Sequence, residues 1–77
     1  MATTVNYGNR FKGPIVVRPA IISKEDLLQP GLVLDKKRPQ IQLNAGIYNF
    51  TFTGTDIGTM TKQINGAGTI DVSSVIP

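Results

Sequence analysis

The 77-residue chain contains no cysteine and no histidine. The first absence excludes disulfides and thiolate metal sites. The second removes imidazole ligands and the commonest general base near neutral pH. Charge is also sparse, at 17% of residues against 40% apolar. Ordinary globular domains carry about a quarter charged residues, and disorder needs high charge with low hydrophobicity, so a folded chain is expected. No apolar run approaches the ~18 residues of a transmembrane helix. Met1 to Val5 shows no basic region leading into an apolar stretch, so the expectation is a chain made and used without export. A domain this small hides only about 60% of its unfolded surface and usually needs a disulfide, a metal or a partner to hold it. With the first excluded and no histidine or cysteine for the second, a partner surface is the expected staple.

The charge that is present is uneven. The formal net charge is +3, yet residues 1–38 hold seven basic residues against three acids, and residues 39–77 hold Lys62 against Asp56 and Asp71. Such asymmetry can mark an anionic partner. Pro14, Pro19, Pro30 and Pro39 punctuate the same first half, and proline is confined to sheet edges, strand ends and turns. Residues 1–14, a mixture of Thr, Asn, Gly and basic residues, read as an extended arm ordered by a binding partner. Ile15-Val16-Val17 and Ala20-Ile21-Ile22 read as one bent or two short strands. Ser23, with Glu25 and Asp26 behind it, is a helix N-cap, and Pro30-Gly31 a stop, so one short helix is expected near 23–29. Leu32-Val33-Leu34 is a short strand, and Asp35-Lys36-Lys37-Arg38-Pro39 a charged turn.

The second half has clearer periodicity. Ile41 and Leu43 alternate with Gln40, Gln42 and Asn44, then Asn44-Ala45-Gly46 supplies a turn. Tyr48, Phe50 and Phe52 alternate with Asn49, Thr51 and Thr53, the pattern of a strand with one aromatic face. Gly58 to Ile64 is a further strand, with Met60 and Ile64 on one side and Thr59, Thr61 and Gln63 on the other. Asn65-Gly66 is a hairpin signal, followed by a closing strand over 69–76 with Ile70 and Val72 inward. The expected fold is all-β: a small antiparallel meander forming a sandwich or partly open barrel, with residues 15–77 as one domain best defined over 40–76.

Catalytic constellations are missing. Ser23, Ser73 and Ser74 have no histidine to activate them. Of the five acids, only Glu25 and Asp26 are neighbours, and a helix start accounts for them. Asp56 suits a turn. No phosphate-loop pattern occurs among the glycines. No enzyme activity, cofactor, metal or small-molecule substrate is expected. Two basic clusters remain, Arg10, Lys12 and Arg18 with Phe11 interleaved, and Lys36, Lys37 and Arg38. Basic residues among aromatics suit single-stranded nucleic acid, while arginine and aromatics also suit protein interfaces. The second cluster reads first as a solvated turn partly neutralised by Asp35. All seven residues are candidates for partner binding. Tyr48, Phe50 and Phe52 read as core rather than as a stacking surface, and the Asn49-Phe50-Thr51 sequon as chance.

The strands from 47 to 76 carry only Lys62 and Asp71 as charges. Solitary sheets normally guard their edges with charge or proline, so an edge here can accept a neighbouring strand. The run Leu43-Asn-Ala-Gly-Ile-Tyr-Asn-Phe-Thr-Phe-Thr-Gly54, the hairpin signal after it, and Pro30-Gly-Leu-Val-Leu34 resemble the small β-rich structural proteins of bacteriophage particles, the capsid cement or decoration proteins and short fibre domains. About half the chain carries the resemblance. It implies a non-enzymatic virion protein that binds coat subunits and copies of itself; a small basic nucleic-acid-binding barrel is the alternative.

Overall fold

A computed structural model describes residues 2–20 and 31–76. Among the described residues, seven strands form two sheets: β1 (Thr3–Asn6), β2 (Ile15–Pro19), β3 (Leu32–Leu34), β4 (Gln40–Leu43), β5 (Gly46–Phe52), β6 (Gly58–Ile64) and β7 (Thr69–Asp71). A single 3-10 turn, Val72–Val75, follows β7. One sheet has the order β4-β1-β7 and the other β3-β2-β5-β6. The inward faces of both build one core, so the molecule is a small all-β sandwich. The helix expected near 23–29 and the apolar pair Ile21-Ile22 lie outside the described residues.

Alternation sets the inner faces. Val5, Ile41 and Leu43 point inward from the first sheet, and Ile15, Val17, Leu34, Phe50, Phe52 and Ile64 from the second. Phe50 is fully buried, pairing with Val17 on one side and Met60 on the other. The period-2 side-chain rule makes this register mandatory, since a one-residue slip would turn Phe50 and Phe52 into water.

The arm expected over residues 1–14 is instead the centre of the first sheet. β1 pairs antiparallel with β4 and parallel with β7. Thr3, Val5 and Tyr7 alternate inward along it and are all buried. The reason is burial: three alternating side chains with a β-branched or aromatic body complete a face that β4 and β7 alone would leave half covered. The loop after β1 is also spent on the core. Phe11 stacks in a tilted contact on Phe52, with ring centroids 5.2 Å apart, and lies 6.4 Å from Tyr7, within the range of favourable aromatic pairs. The Tyr7 hydroxyl donates to the Gly13 carbonyl at 2.6 Å.

The meander is the second correction. Only β5 and β6 form a consecutive hairpin within residues 40–76. The chain changes sheets between β4 and β5, and again between β6 and β7. Asn65-Gly66 is therefore a corner rather than a two-residue hairpin. Gly66 has φ +78°, and a Cβ there would lie 3.0 Å from the Ala45 nitrogen, so glycine is needed both for the left-handed conformation and for the close approach of the two corners. The buried Thr3 hydroxyl fastens this corner from β1. It accepts from the Gly66 and Ala67 N–H groups at 3.0 Å each and donates to the Ala67 carbonyl at 3.1 Å. The strand expected over 69–76 stops at Asp71, where the 3-10 turn buries Val72 and Val75.

Candidate interaction surfaces

Two surfaces follow from this topology: a basic end and an open edge.

The basic end is built by the β1–β2 and β3–β4 loops, which leave the sandwich at the same pole. The Tyr7 N–H donates to the Pro39 carbonyl at 2.8 Å, joining the two loops directly. The β5–β6 hairpin reaches the same pole, where the Thr53 N–H donates to the Pro14 carbonyl at 3.2 Å. Asp35 shapes the β3–β4 turn: one carboxylate oxygen accepts from the Lys37 N–H at 2.9 Å and the Arg38 N–H at 2.7 Å. Its backbone N–H donates to the Arg38 carbonyl at 3.1 Å. An aspartate closing a turn on its own following amides is the usual reason for the residue at that place. Lys36, Lys37 and Arg38 are consequently displayed outward, all exposed.

Arg10 and Lys12 stand exposed on the neighbouring loop, the Arg10 guanidinium 5.5 Å above the Phe11 ring. A cation at that distance over an aromatic face is held in place. Burial pushes the Tyr7 phenol above its ordinary pKa, and the nearby Asp35 carboxylate pushes it the same way.

Of the seven candidate residues, Arg10, Lys12, Lys36, Lys37 and Arg38 thus share one pole as exposed charges. Phe11, the sixth, is a correction: it is 6% exposed and belongs to the core, so neither a partner nor a nucleobase can stack on it. Arg18 stands apart. It lies three residues up β2 from Ile15, opposite Asn49 on the outer face of the second sheet, about 10 Å along the strand. Tyr48, Phe50 and Phe52 all pack in or against the core, as their alternation required.

The open edge is β6. All seven of its residues pair with β5 in unbroken register, from Gly46 opposite Ile64 to Phe52 opposite Gly58. No described strand pairs with its other side. It contains no proline, no bulge and one charge, Lys62, whereas edges of solitary sheets are normally blunted by such devices. Thr59, Thr61 and Gln63 face outward, beside Thr51 and Asn49 of β5. The hydroxyls of Thr51 and Thr59 lie 3.1 Å apart, and Thr61 donates to Asn49 Oδ1 at 2.6 Å. With Val16, Val33 and the 45%-exposed Ile47, this outer face has Arg18 as its one cation. At the far end of β6 a cavity of about 180 Å³ opens between Lys62, Ile64, Asn65, Thr3, Ile70 and Ser74.

Sequence reasoning identified the weakly charged strands but did not single out which would be the edge. Strand order is non-local, and β6 becomes terminal only because β7 leaves for the other sheet.

Among the described residues no three acidic side chains gather as metal ligands, and no helix is long and apolar enough to cross a membrane. Comparison with protein-family models, with curated proteins and with solved structures finds no match to this chain.

Proposed function

We propose that the protein is a non-enzymatic structural component of a virus particle, a minor capsid or cement protein that binds and stabilises coat subunits. The observation that carries this reading is the β6 edge, open over Gly58–Gln63 with a single charge and continuous with a nearly uncharged outer face. An edge of this kind offers a row of backbone donors and acceptors to another chain, so affinity comes from main-chain hydrogen bonds and register from alternate side chains. The resemblance of residues 43–54 to phage cement and fibre domains supplies the particle context. Binding many equivalent sites on a shell stabilises that shell by mass action. The contact surface in this reading is β6 and the outer face, with Arg18 at its margin; it no longer needs an N-terminal arm.

The test is co-expression with the products of neighbouring reading frames. Assembled particles should carry the protein through sedimentation in a fixed ratio, and should shed it when Thr61 is replaced by lysine. Particles that assemble at full thermal stability without it, and never bind it when it is added back, would refute the reading.

The basic end supports a second reading, attachment to a polyanion such as nucleic acid. Its support is the convergence of Arg10, Lys12, Lys36, Lys37 and Arg38 from two loops joined at Tyr7 and Pro39. With Phe11 and Tyr7 inside the core, such contact would be to phosphates rather than to stacked bases, hence sequence-independent and steeply salt-dependent. Absence of binding to a single-stranded oligonucleotide at low salt would remove it.

A further inference from the structure

We infer that Asn65 is a site of spontaneous covalent modification, its side-chain amide closing onto the Gly66 nitrogen, and that the Thr3 hydroxyl keeps this site unreacted in the folded chain. The reaction is deamidation through a cyclic imide, and it holds whatever docks on β6 or on the basic end.

The chain has five asparagines, Asn6, Asn9, Asn44, Asn49 and Asn65, and only the last precedes a glycine. A following glycine has no Cβ to crowd the ring closure, so its nitrogen can approach the asparagine side chain. In the reaction, solvent base takes the Gly66 N–H proton and the nitrogen attacks Asn65 Cγ. The Cγ–Nδ2 bond breaks and ammonia leaves with a proton from water, leaving a five-membered succinimide. Water then opens the ring at either carbonyl, giving aspartate or isoaspartate at position 65. Water is the only co-reactant.

The structure withholds the nucleophile. Gly66 is buried, and its N–H, whose proton the reaction must remove, donates to Thr3 Oγ1 at 3.0 Å. The Ala67 N–H donates to the same oxygen at 3.0 Å, and the Ala67 carbonyl accepts from it at 3.1 Å. The Thr4 N–H donates to the Gly68 carbonyl at 2.9 Å. Four hydrogen bonds thus tie residues 66–68 to the start of β1. The Asn65 side chain is exposed, so water reaches the electrophile and ammonia can leave. Reaction therefore waits on a local opening that frees the Gly66 amide from Thr3. The isoaspartate product is a one-way release. It adds one atom to the main chain between positions 65 and 66, where a Cβ on Gly66 would already lie 3.0 Å from the Ala45 nitrogen. The longer chain has no slack there to return the Gly66 N–H to Thr3, and a new carboxylate stands at the end of β6, three residues from Lys62.

The test follows ammonia release and the amide-to-acid mass change at Asn65 during incubation of the full chain at mildly alkaline pH. The parent should react readily when unfolded in urea and slowly when folded, and Asn65→Gln should silence the signal under both conditions. Folded Thr3→Val should react at least about tenfold faster than Phe52→Ala, a core truncation of comparable expected cost that leaves the corner intact. Thr3→Ser should stay near the parent rate. The parent also gives a reading that needs no folded variant: folding should slow the reaction by the same factor by which it slows hydrogen exchange at the Gly66 amide. Equal rates in the folded and unfolded parent, or Thr3→Val no faster than Phe52→Ala, overturn the inference. So does a slowing that differs from the Gly66 exchange protection by about tenfold or more, since something other than release from Thr3 would then control the reaction.

Discussion

Thr3 is the sharpest place to perturb this fold. It lies two residues from the start of the sequence, in a segment whose composition reads as an unstructured arm, yet its side chain is 2% exposed and its hydroxyl makes three hydrogen bonds to the 66–67 corner. Thr3→Val keeps the shape and removes the hydroxyl. Each lost bond is worth about 1 kcal/mol net, and leaving the buried Gly66 N–H without a partner costs about 1–3 kcal/mol more. The added methyl recovers roughly 1 kcal/mol by apolar burial. The expected loss is about 3–5 kcal/mol. For a domain of this length total stability is about 4–12 kcal/mol, so the variant should be on the margin of unfolding.

Thr3→Ser supplies the contrast. It keeps all three bonds and deletes one buried methyl, for about 1 kcal/mol. Urea unfolding followed by circular dichroism reads both, as a fall in midpoint at unchanged slope. Thr4→Val, on the half-buried opposite face of the strand, should move the midpoint little. Hydrogen exchange at the Gly66 and Ala67 amides should accelerate in Thr3→Val and not in Thr3→Ser. Equal losses for Thr3→Val and Thr3→Ser, or a Thr3→Val midpoint within about 0.5 kcal/mol of the parent, would refute the claim that this hydroxyl fastens the corner.

Three further expectations follow. Gly66→Ala places a Cβ 3.0 Å from the Ala45 nitrogen at φ +78° and should cost about 1–3 kcal/mol in the same urea assay. Tyr7→Phe loses the bond to Gly13 and should be about 1 kcal/mol less stable at neutral pH. Its alkaline behaviour should also differ. The raised Tyr7 pKa means that the folded state holds this proton more tightly than the unfolded chain, so its contribution is complete below about pH 10 and is lost as pH rises through the folded value. The parent should therefore lose stability above pH 10 more steeply than Tyr7→Phe, as thermal melts at pH 7, 10 and 11 would show. Asp35→Ala leaves the Lys37 and Arg38 amides without their acceptor and should raise exchange at those exposed amides while costing about 1 kcal/mol or less.

The individual strands were largely readable because each has a strong period of two. Gly58–Ile64 and Leu32–Leu34 match their expected bounds, and Phe50 and Phe52 lie where the alternation put them. β1 was missed for a definable reason. Its inward set is Thr3, Val5 and Tyr7, two of which carry polar groups, so hydropathy showed no alternation. The bodies of those side chains bury while their hydroxyls find partners at Ala67 and Gly13. Counting threonine and tyrosine as apolar in body would have shown a strand, with Thr4 and Asn6 on the other face. Phe11 was misassigned for a related reason: its basic neighbours suggested a surface, but the ring turns in against Phe52 while Arg10 stays out above it.

The meander failed on a different ground, and the same ground moves the functional argument. Asn44-Ala45 and the 65–68 segment have the turn chemistry of hairpins, and local sequence does not distinguish a chain that folds back beside itself from one that crosses to a facing sheet. What decides is the third body at each corner: the Thr3 hydroxyl on the 66–67 amides, and Ala45 against Gly66. The first of these contacts exists only because β1 occupies the middle of the first sheet. Once β1 is there, β7 pairs with it in parallel and is unavailable to β6. The segment expected to reach out to a partner is thus the one that draws β7 away and leaves the seven-residue β6, with Lys62 as its one charge, exposed along one side. The need for a partner inferred from a short, unstapled chain therefore moves from residues 1–14 to Gly58–Ile64. There the missing contact is a strand that takes up the backbone donors and acceptors left along its outer side.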